Sequence, residues 1–194
     1  GYGASPFVPS MCLDRPIFYR DRADGYYGPG AYVLAKLIED TAVLCAGSAL
    51  FSVIVFYGCG LQGSFGVFFA VKFFASLAGV AVAYWCAAGS PNMAFACALL
   101  PAIVTVCQFM SGYLIVFSKI PAGWRWFYRI NFVQCGFTAL MQNQYAEQSS
   151  TSTIAKAQLE LYMPTGNGVF TDPAFCVGML ACSTCVALVL TTVT

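Results

Sequence analysis

Few residues in this 194-residue chain could do chemistry, and their placement narrows what chemistry is open. There is no histidine, which removes the usual general base and the commonest metal ligand. Ten cysteines raise the question of disulfides or zinc. Their setting argues against both. Cys45, Cys59, Cys86, Cys97, Cys107, Cys135, Cys176, Cys182 and Cys185 lie in or beside apolar runs, and Cys12 lies near the start. Cys182 and Cys185 form a CxxC with no second half, inside an apolar helical pattern, and the expected role of these thiols is that of small buried hydrophobes. Lys72 is the only charge between positions 41 and 118. A charge there is costly unless it snorkels or pairs, and snorkelling to the outer interface is the expectation.

A weaker pattern concerns recognition rather than reaction. At about 100° per residue, Ala94, Pro101, Thr105, Gln108 and Gly112 fall on one face of the run 93–117. Leu99, Ile103, Val106, Met110 and Phe117 fall on the opposite, lipid-like face. Membrane helices turn polar residues toward protein or water, and Pro101 frees a backbone carbonyl in mid-helix. Helix–helix packing and the wall of a translocation path are both open readings of this stripe.

The elements that carry these residues follow from composition. Hydrophobic residues make up 59% and charged residues 9%, against about 25% charged in a soluble domain. The class is therefore all-α, a polytopic membrane helix bundle, and the net charge of +1 suggests no nucleic-acid partner. Nine of the seventeen charges lie in 13–40 (LDRPIFYRDRADGYYGPGAYVLAKLIED). Lys and Arg beside a membrane span mark the cytoplasmic side, so this collar fixes orientation. Positions 15–30 read as an amphipathic or irregular element broken by Gly28-Pro29-Gly30. Apolar spans are expected at 31–57, 65–88, 93–117 and from 173 onward. Lys36 reaches Glu39 and Asp40 at i+3 and i+4, either as a solvated helix end or as a charge relay to a neighbouring domain. Ala75, Gly79 and Ala83 make a small-xxx-small packing face. The run 124–146 is semi-apolar with Arg125, Arg129 and Asn131, and fits a re-entrant or interfacial helix pair better than a full crossing. A polar loop follows at 147–172. The chain begins and stops within apolar sequence, so a fragment of a longer protein is expected.

Two blocks carry a resemblance. RPIFYRDRADGYYGPGAYVLAKLIED and FMSGYLIVFSKIPAGWRWFYRINFVQCGFTALMQNQYAE resemble the transmembrane domain of the G subfamily of ATP-binding cassette transporters, the white and pleiotropic drug resistance type. The first resembles that family's end of the second membrane helix, its coupling helix and the start of the third. The second resembles its fifth helix, re-entrant turn and GFTAL segment. By that likeness the chain is an ABC-2 type transmembrane domain, 1–194, running from the end of the second helix through the sixth. No G-x-x-x-x-G-K-[S/T] occurs, so ATP and Mg would bind in a nucleotide-binding domain outside this sequence, with no cofactor in the sequence itself. Two departures stand out: 147–172 holds neither the cysteines nor the sequon common in the family's large extracellular loop, and small or apolar residues around Pro9 replace an acid often seen near the cytoplasmic end of the second helix.

The resemblance implies roles. Tyr2 matches the family's substrate-clamping aromatic; Thr105, Gln108 and Phe109 match its fifth-helix cavity positions; Tyr113 and Leu114 match the hydrophobic plug above the cavity. Arg15, Arg20, Asp21 and Arg22 fall in the segment that couples to the nucleotide-binding domain. The implied activity is ATP-driven export of lipid-like or xenobiotic substrates by alternating access between two transporter halves, in a homo- or heterodimer surrounded by membrane lipids, most simply in the plasma membrane. A channel-like or structural membrane subunit without ATP coupling is the alternative. An intramembrane enzyme is disfavoured, because the acids Glu39, Asp40 and Asp172 lie only at span ends and no histidine is present.

Overall fold

The computed structural model describes residues 2–115, 120–145 and the single position 178. Within it the chain forms a 3-10 turn, Tyr2–Ala4, and six helices: α1 (Phe7–Ala23), α2 (Pro29–Gly58), α3 (Phe65–Gly89), α4 (Met93–Phe109), α5 (Arg125–Ile130) and α6 (Phe132–Tyr145), with a second 3-10 turn at Ala122–Trp124. No strand occurs among the described residues. The expected last span and the loop 147–172 lie outside them.

Two helices are long and apolar enough to cross a membrane, Pro29–Gly58 and Phe65–Gly89, and Met93–Phe109 is a shorter apolar helix. At 1.5 Å per residue, α2 is about 45 Å long against a hydrocarbon core of about 30 Å. Its first turns, with Lys36, Glu39 and Asp40, can therefore stand outside the core. Gly28 precedes α2 in extended conformation and Pro29 takes its first position, where a missing N–H costs nothing and the ring presets φ. The expected 31–57 and 65–88 spans thus appear with boundaries shifted by one or two residues.

The collar differs from its sequence reading. Positions 15–23 continue a single helix that starts at Phe7 and passes through Pro16. It stops in a Schellman motif: the Tyr26 N–H donates to the Asp21 carbonyl and the Gly25 N–H to the Arg22 carbonyl, each at 3.1 Å. That closure places Gly25 at φ +77°, a conformation only glycine adopts without strain. Arg20 and Arg22 fall in the last turn, where cations favour the helix dipole.

The central element is α3, which packs against α1, α2, α4 and α6. Its small residues make this possible. Ala83, Ala87 and Val80 meet Val8 and Met11 of α1, Val33 of α2, and Ala96, Leu100 and Val104 of α4, around the fully buried Tyr84. Nearer its start, Val71 and Ala75 meet Cys135 and Ala139 of α6. The Ala75–Gly79–Ala83 stripe therefore meets α6 at its Ala75 end and the cluster of α1, α2 and α4 at its Ala83 end.

Helix α4 corrects two readings. It ends at Phe109, well short of the expected 117, because the chain turns at Met110 to Gly112. Its buried face is Ala96, Leu100, Val104 and Cys107, and Leu99 and Ile103 pack against that core instead of facing lipid. Among the cysteines, Cys86, Cys107 and Cys135 are buried, whereas Cys45, Cys59 and Cys97 are exposed; the seven described cysteines form no disulfide with one another.

Candidate functional site

Two groups of residues stand out, one at each end of the helix bundle. The first is the α1–α2 hairpin. Phe18 of α1 lies 4.9 Å from the Tyr32 ring of α2, and Tyr27 of the connecting turn stacks on Tyr32 at 6.2 Å. The Tyr27 hydroxyl donates to Asp21 Oδ2 at 3.0 Å. Lost hydration, and then that carboxylate, hold the phenol above its ordinary pKa. Lys36 lies 3.4 Å from Asp14 Oδ2 and 3.4 Å from Glu39 Oε2, clamping α2 to α1.

Asp40 takes no part in that clamp, contrary to the i+4 expectation. It is 8% exposed and accepts a short hydrogen bond from the Tyr84 hydroxyl on α3. A helix turn places residue 40 on the inward side, where only a cross-helix donor can satisfy its carboxylate. The four residues assigned to coupling separate in the same way. The Arg15 guanidinium donates to the Ser90 carbonyl at 2.7 Å and to the Ala87 carbonyl. It thereby satisfies acceptors that the end of α3 leaves open. Arg20 and Arg22 are exposed, and Arg20 is joined to Asp21 only by a 3.9 Å ion pair at the surface.

The second group lines α4 and its exit. The Tyr2 hydroxyl lies 2.7 Å from Thr105 Oγ1, and Thr105 Oγ1 donates to the Pro101 carbonyl at 2.7 Å. With the threonine proton used there, Tyr2 is the donor to Thr105. Two residues 103 positions apart in the sequence are thus one hydrogen-bonded unit at the edge of the stripe. Gln108 is half-buried, and its side-chain amide makes no hydrogen bond among the described residues; Phe109 is exposed beside it. The stripe forms one flank of α4, between the buried face and an exposed row of Phe95, Val106 and Phe109.

Past Phe109 the chain turns at Gly112, φ +87°, where an added Cβ would lie 3.1 Å from the Tyr128 hydroxyl. Both the left-handed backbone and the tyrosine exclude a side chain here. The break carries Tyr113 and Leu114 off the helix to exposed positions, and the Tyr113 ring meets Phe137 of α6 edge-on at 5.8 Å.

Asn131 organises this end, and sequence reasoning treated it only as an obstacle to membrane crossing. Its Oδ1 accepts from the Val133 N–H at 3.0 Å, capping α6, while its Nδ2 donates to the Cys107 carbonyl in the last turn of α4 at 2.5 Å. An asparagine immediately before the apolar run 132–141 is a helix N-cap signal that could have located it. Lys72 also departs from expectation. It does not snorkel outward but donates to Ser76 Oγ at 3.1 Å and sits 4.9 Å from the Phe51 ring, in the groove between α2 and α3.

Comparison with known proteins places this architecture. Residues 1–145 match the family model described as ABC-2 type transporter. The chain is 30% identical over 176 residues to ABC multidrug transporter I of Aspergillus fumigatus, covering 87% of this chain and 11% of that protein. It is 29% identical over 158 residues to ABC transporter G family member 2 of Arabidopsis thaliana, 80% of this chain and 21% of that protein. To the ATP-binding protein/permease wht-1 of Caenorhabditis elegans it is 29% identical over 143 residues, 72% and 21% respectively. The chain spans between about a tenth and a fifth of the length of these relatives. With its apolar helices packed around α3 and its match over most of its length, the chain is an integral membrane protein and belongs to the ABC-2 type transporter family, as a membrane domain of the G-family kind.

Proposed function

We propose that this chain forms one half of the membrane pathway of an ATP-driven exporter of lipid-like or xenobiotic hydrophobic compounds. The observation that carries this reading is the Tyr2–Thr105 hydrogen bond. It joins, on one flank of α4, two residues assigned to a substrate path that lie 103 positions apart in the sequence. Gln108 offers a free amide on the same flank, and Phe109 and Tyr2 offer exposed ring faces. Such a surface suits a flat apolar substrate held by dispersion and few hydrogen bonds. Tyr113 and Leu114 stand beyond the Gly112 break, where side chains could close the outer end of the path. In a dimer this flank would meet its counterpart in the second transporter half. A nucleotide-binding domain holding ATP and Mg would engage the exposed Arg20–Arg22 end of α1, and the plasma membrane is the natural site for such an exporter.

Its test is steric. In the full transporter, Thr105→Trp should abolish substrate-stimulated ATPase and export, while Ile54→Trp, at an exposed position on α2, should be tolerated. Unchanged transport by a well-folded Thr105→Trp protein would reduce the stripe to helix packing.

A further inference from the structure

Lys72 and its groove have no place in the proposed path, yet they carry a ligand chemistry of their own. A cavity of about 350 Å³ opens between α2 and α3 beside the N-terminal turn, lined by Val43, Gly47, Ser48 and Phe51 of α2, Lys72 and Ser76 of α3, and Gly3 and Ala4 of the turn. That volume lies within the range of small-molecule sites, roughly 300–1,000 Å³. The ammonium has three N–H donors. One reaches Ser76 Oγ, and the Phe51 ring faces the charge without neutralising it. Among the described residues no carboxylate lies within 4 Å of Lys72. Lys72 lies seven residues into α3, about 10 Å along its axis, inside a membrane-spanning helix where an uncompensated charge is expensive.

The walls say what kind of anion could answer it. Val43 is 64% and Phe51 47% exposed, so the groove opens sideways toward the bilayer. The space beside Gly47 is open, since a Cβ there would meet nothing within 4 Å. An occupant entering by that route needs an anionic head on an apolar tail.

We propose that the α2–α3 groove binds an anionic phospholipid of the surrounding leaflet, with its phosphate on the Lys72 ammonium and an acyl chain along Val43 and Phe51. The site borders the turn that carries Tyr2, through Gly3 and Ala4, but includes neither Tyr2 nor Thr105, and it stands whether or not that flank conducts substrate.

The experiment uses the full transporter in phosphatidylcholine nanodiscs with photoactivatable phosphatidic acid or phosphatidylcholine of identical chains. Labelling of the segment 43–51 is read by mass spectrometry. Phosphatidic acid should label it in preference to phosphatidylcholine. Lys72→Met should lower the preference by about fivefold, the factor one cation near an anionic headgroup supplies, and Lys72→Arg should keep it. Equal labelling by the two probes in the unmodified protein, as a carboxylate elsewhere in the transporter pairing with Lys72 would produce, overturns the proposal. So does a preference that survives Lys72→Met. Should Lys72→Met fail to fold, Gly47→Leu keeps the cation and fills the groove, and phosphatidic acid labelling unchanged by it is equally fatal.

Discussion

The two ends of the bundle use polar residues in opposite ways. At the α1–α2 hairpin the buried and half-buried charges have partners on other elements: Lys36 with Asp14, Asp40 with Tyr84, Arg15 with the end of α3. Along the α4 flank polar groups are few; the Thr105 hydroxyl donates to its own helix and is met only by Tyr2, and the Gln108 amide has no partner among the described residues. The first arrangement transmits force, because displacing one helix strains three. The second leaves the Gln108 amide outside any such linkage among the described residues. On the function proposed above, the contrast separates a rigid linkage from a recognition surface.

The largest effect should come from breaking the linkage where it is most buried. Tyr84→Phe leaves the Asp40 carboxylate buried without its donor, and a lost hydrogen bond to a charged group costs about 1.5–3 kcal/mol. We expect the detergent-solubilised transporter to melt at clearly lower temperature. Tyr84→Phe combined with Asp40→Asn should recover part of the loss, since the stranded charge is then gone. If Tyr84→Phe leaves the melting temperature unchanged, the hairpin and α3 are not tied through this pair.

An intermediate effect should divide residues that the sequence grouped together. Arg15→Ala removes donors from two carbonyls at the end of α3 and should destabilise the fold by about 1–3 kcal/mol, seen as a lower midpoint in thermal or denaturant unfolding. Arg20→Glu touches only a surface ion pair, worth about 0–1 kcal/mol. It should leave stability intact and lower the ATPase stimulation that substrate produces. Equal destabilisation by both changes would erase the distinction between cap and coupling surface.

What the sequence disclosed follows the range of the interactions involved. Spans α2 and α3 were legible because hydropathy over some twenty residues is a sum over many positions, and Gly28-Pro29 marks its own boundary. The end of α4 was not, because the apolar run continues past Phe109 and the turn depends on Gly112 meeting Tyr128, sixteen residues on. Asp40 was misassigned for a related reason. Its i−4 neighbour Lys36 is visible in the sequence, while Tyr84 is 44 residues away and no local rule points to it. Lys72 looked like a snorkelling lysine because its groove exists only once α2 lies beside α3. The stripe Thr105–Gln108 could be read from helical periodicity alone. Its partner Tyr2 came from resemblance, and the hydrogen bond between them is a property of the fold.

The smallest expected effect sharpens the recognition side of the comparison. Gln108→Ala removes one half-buried amide that binds no other described group, so the fold should lose almost nothing. If the amide meets substrate, it contributes about 0.5–1.5 kcal/mol net, or roughly a two- to tenfold change in apparent affinity for compounds that can hydrogen-bond. Wholly apolar substrates should be unaffected or slightly favoured, because no polar group then needs desolvating. Substrate-stimulated ATPase across paired compounds, alike in shape and differing by one hydrogen-bonding group, measures this directly. A uniform loss across every pair would instead assign Gln108 to helix packing, and the α4 flank would then resemble the hairpin in kind.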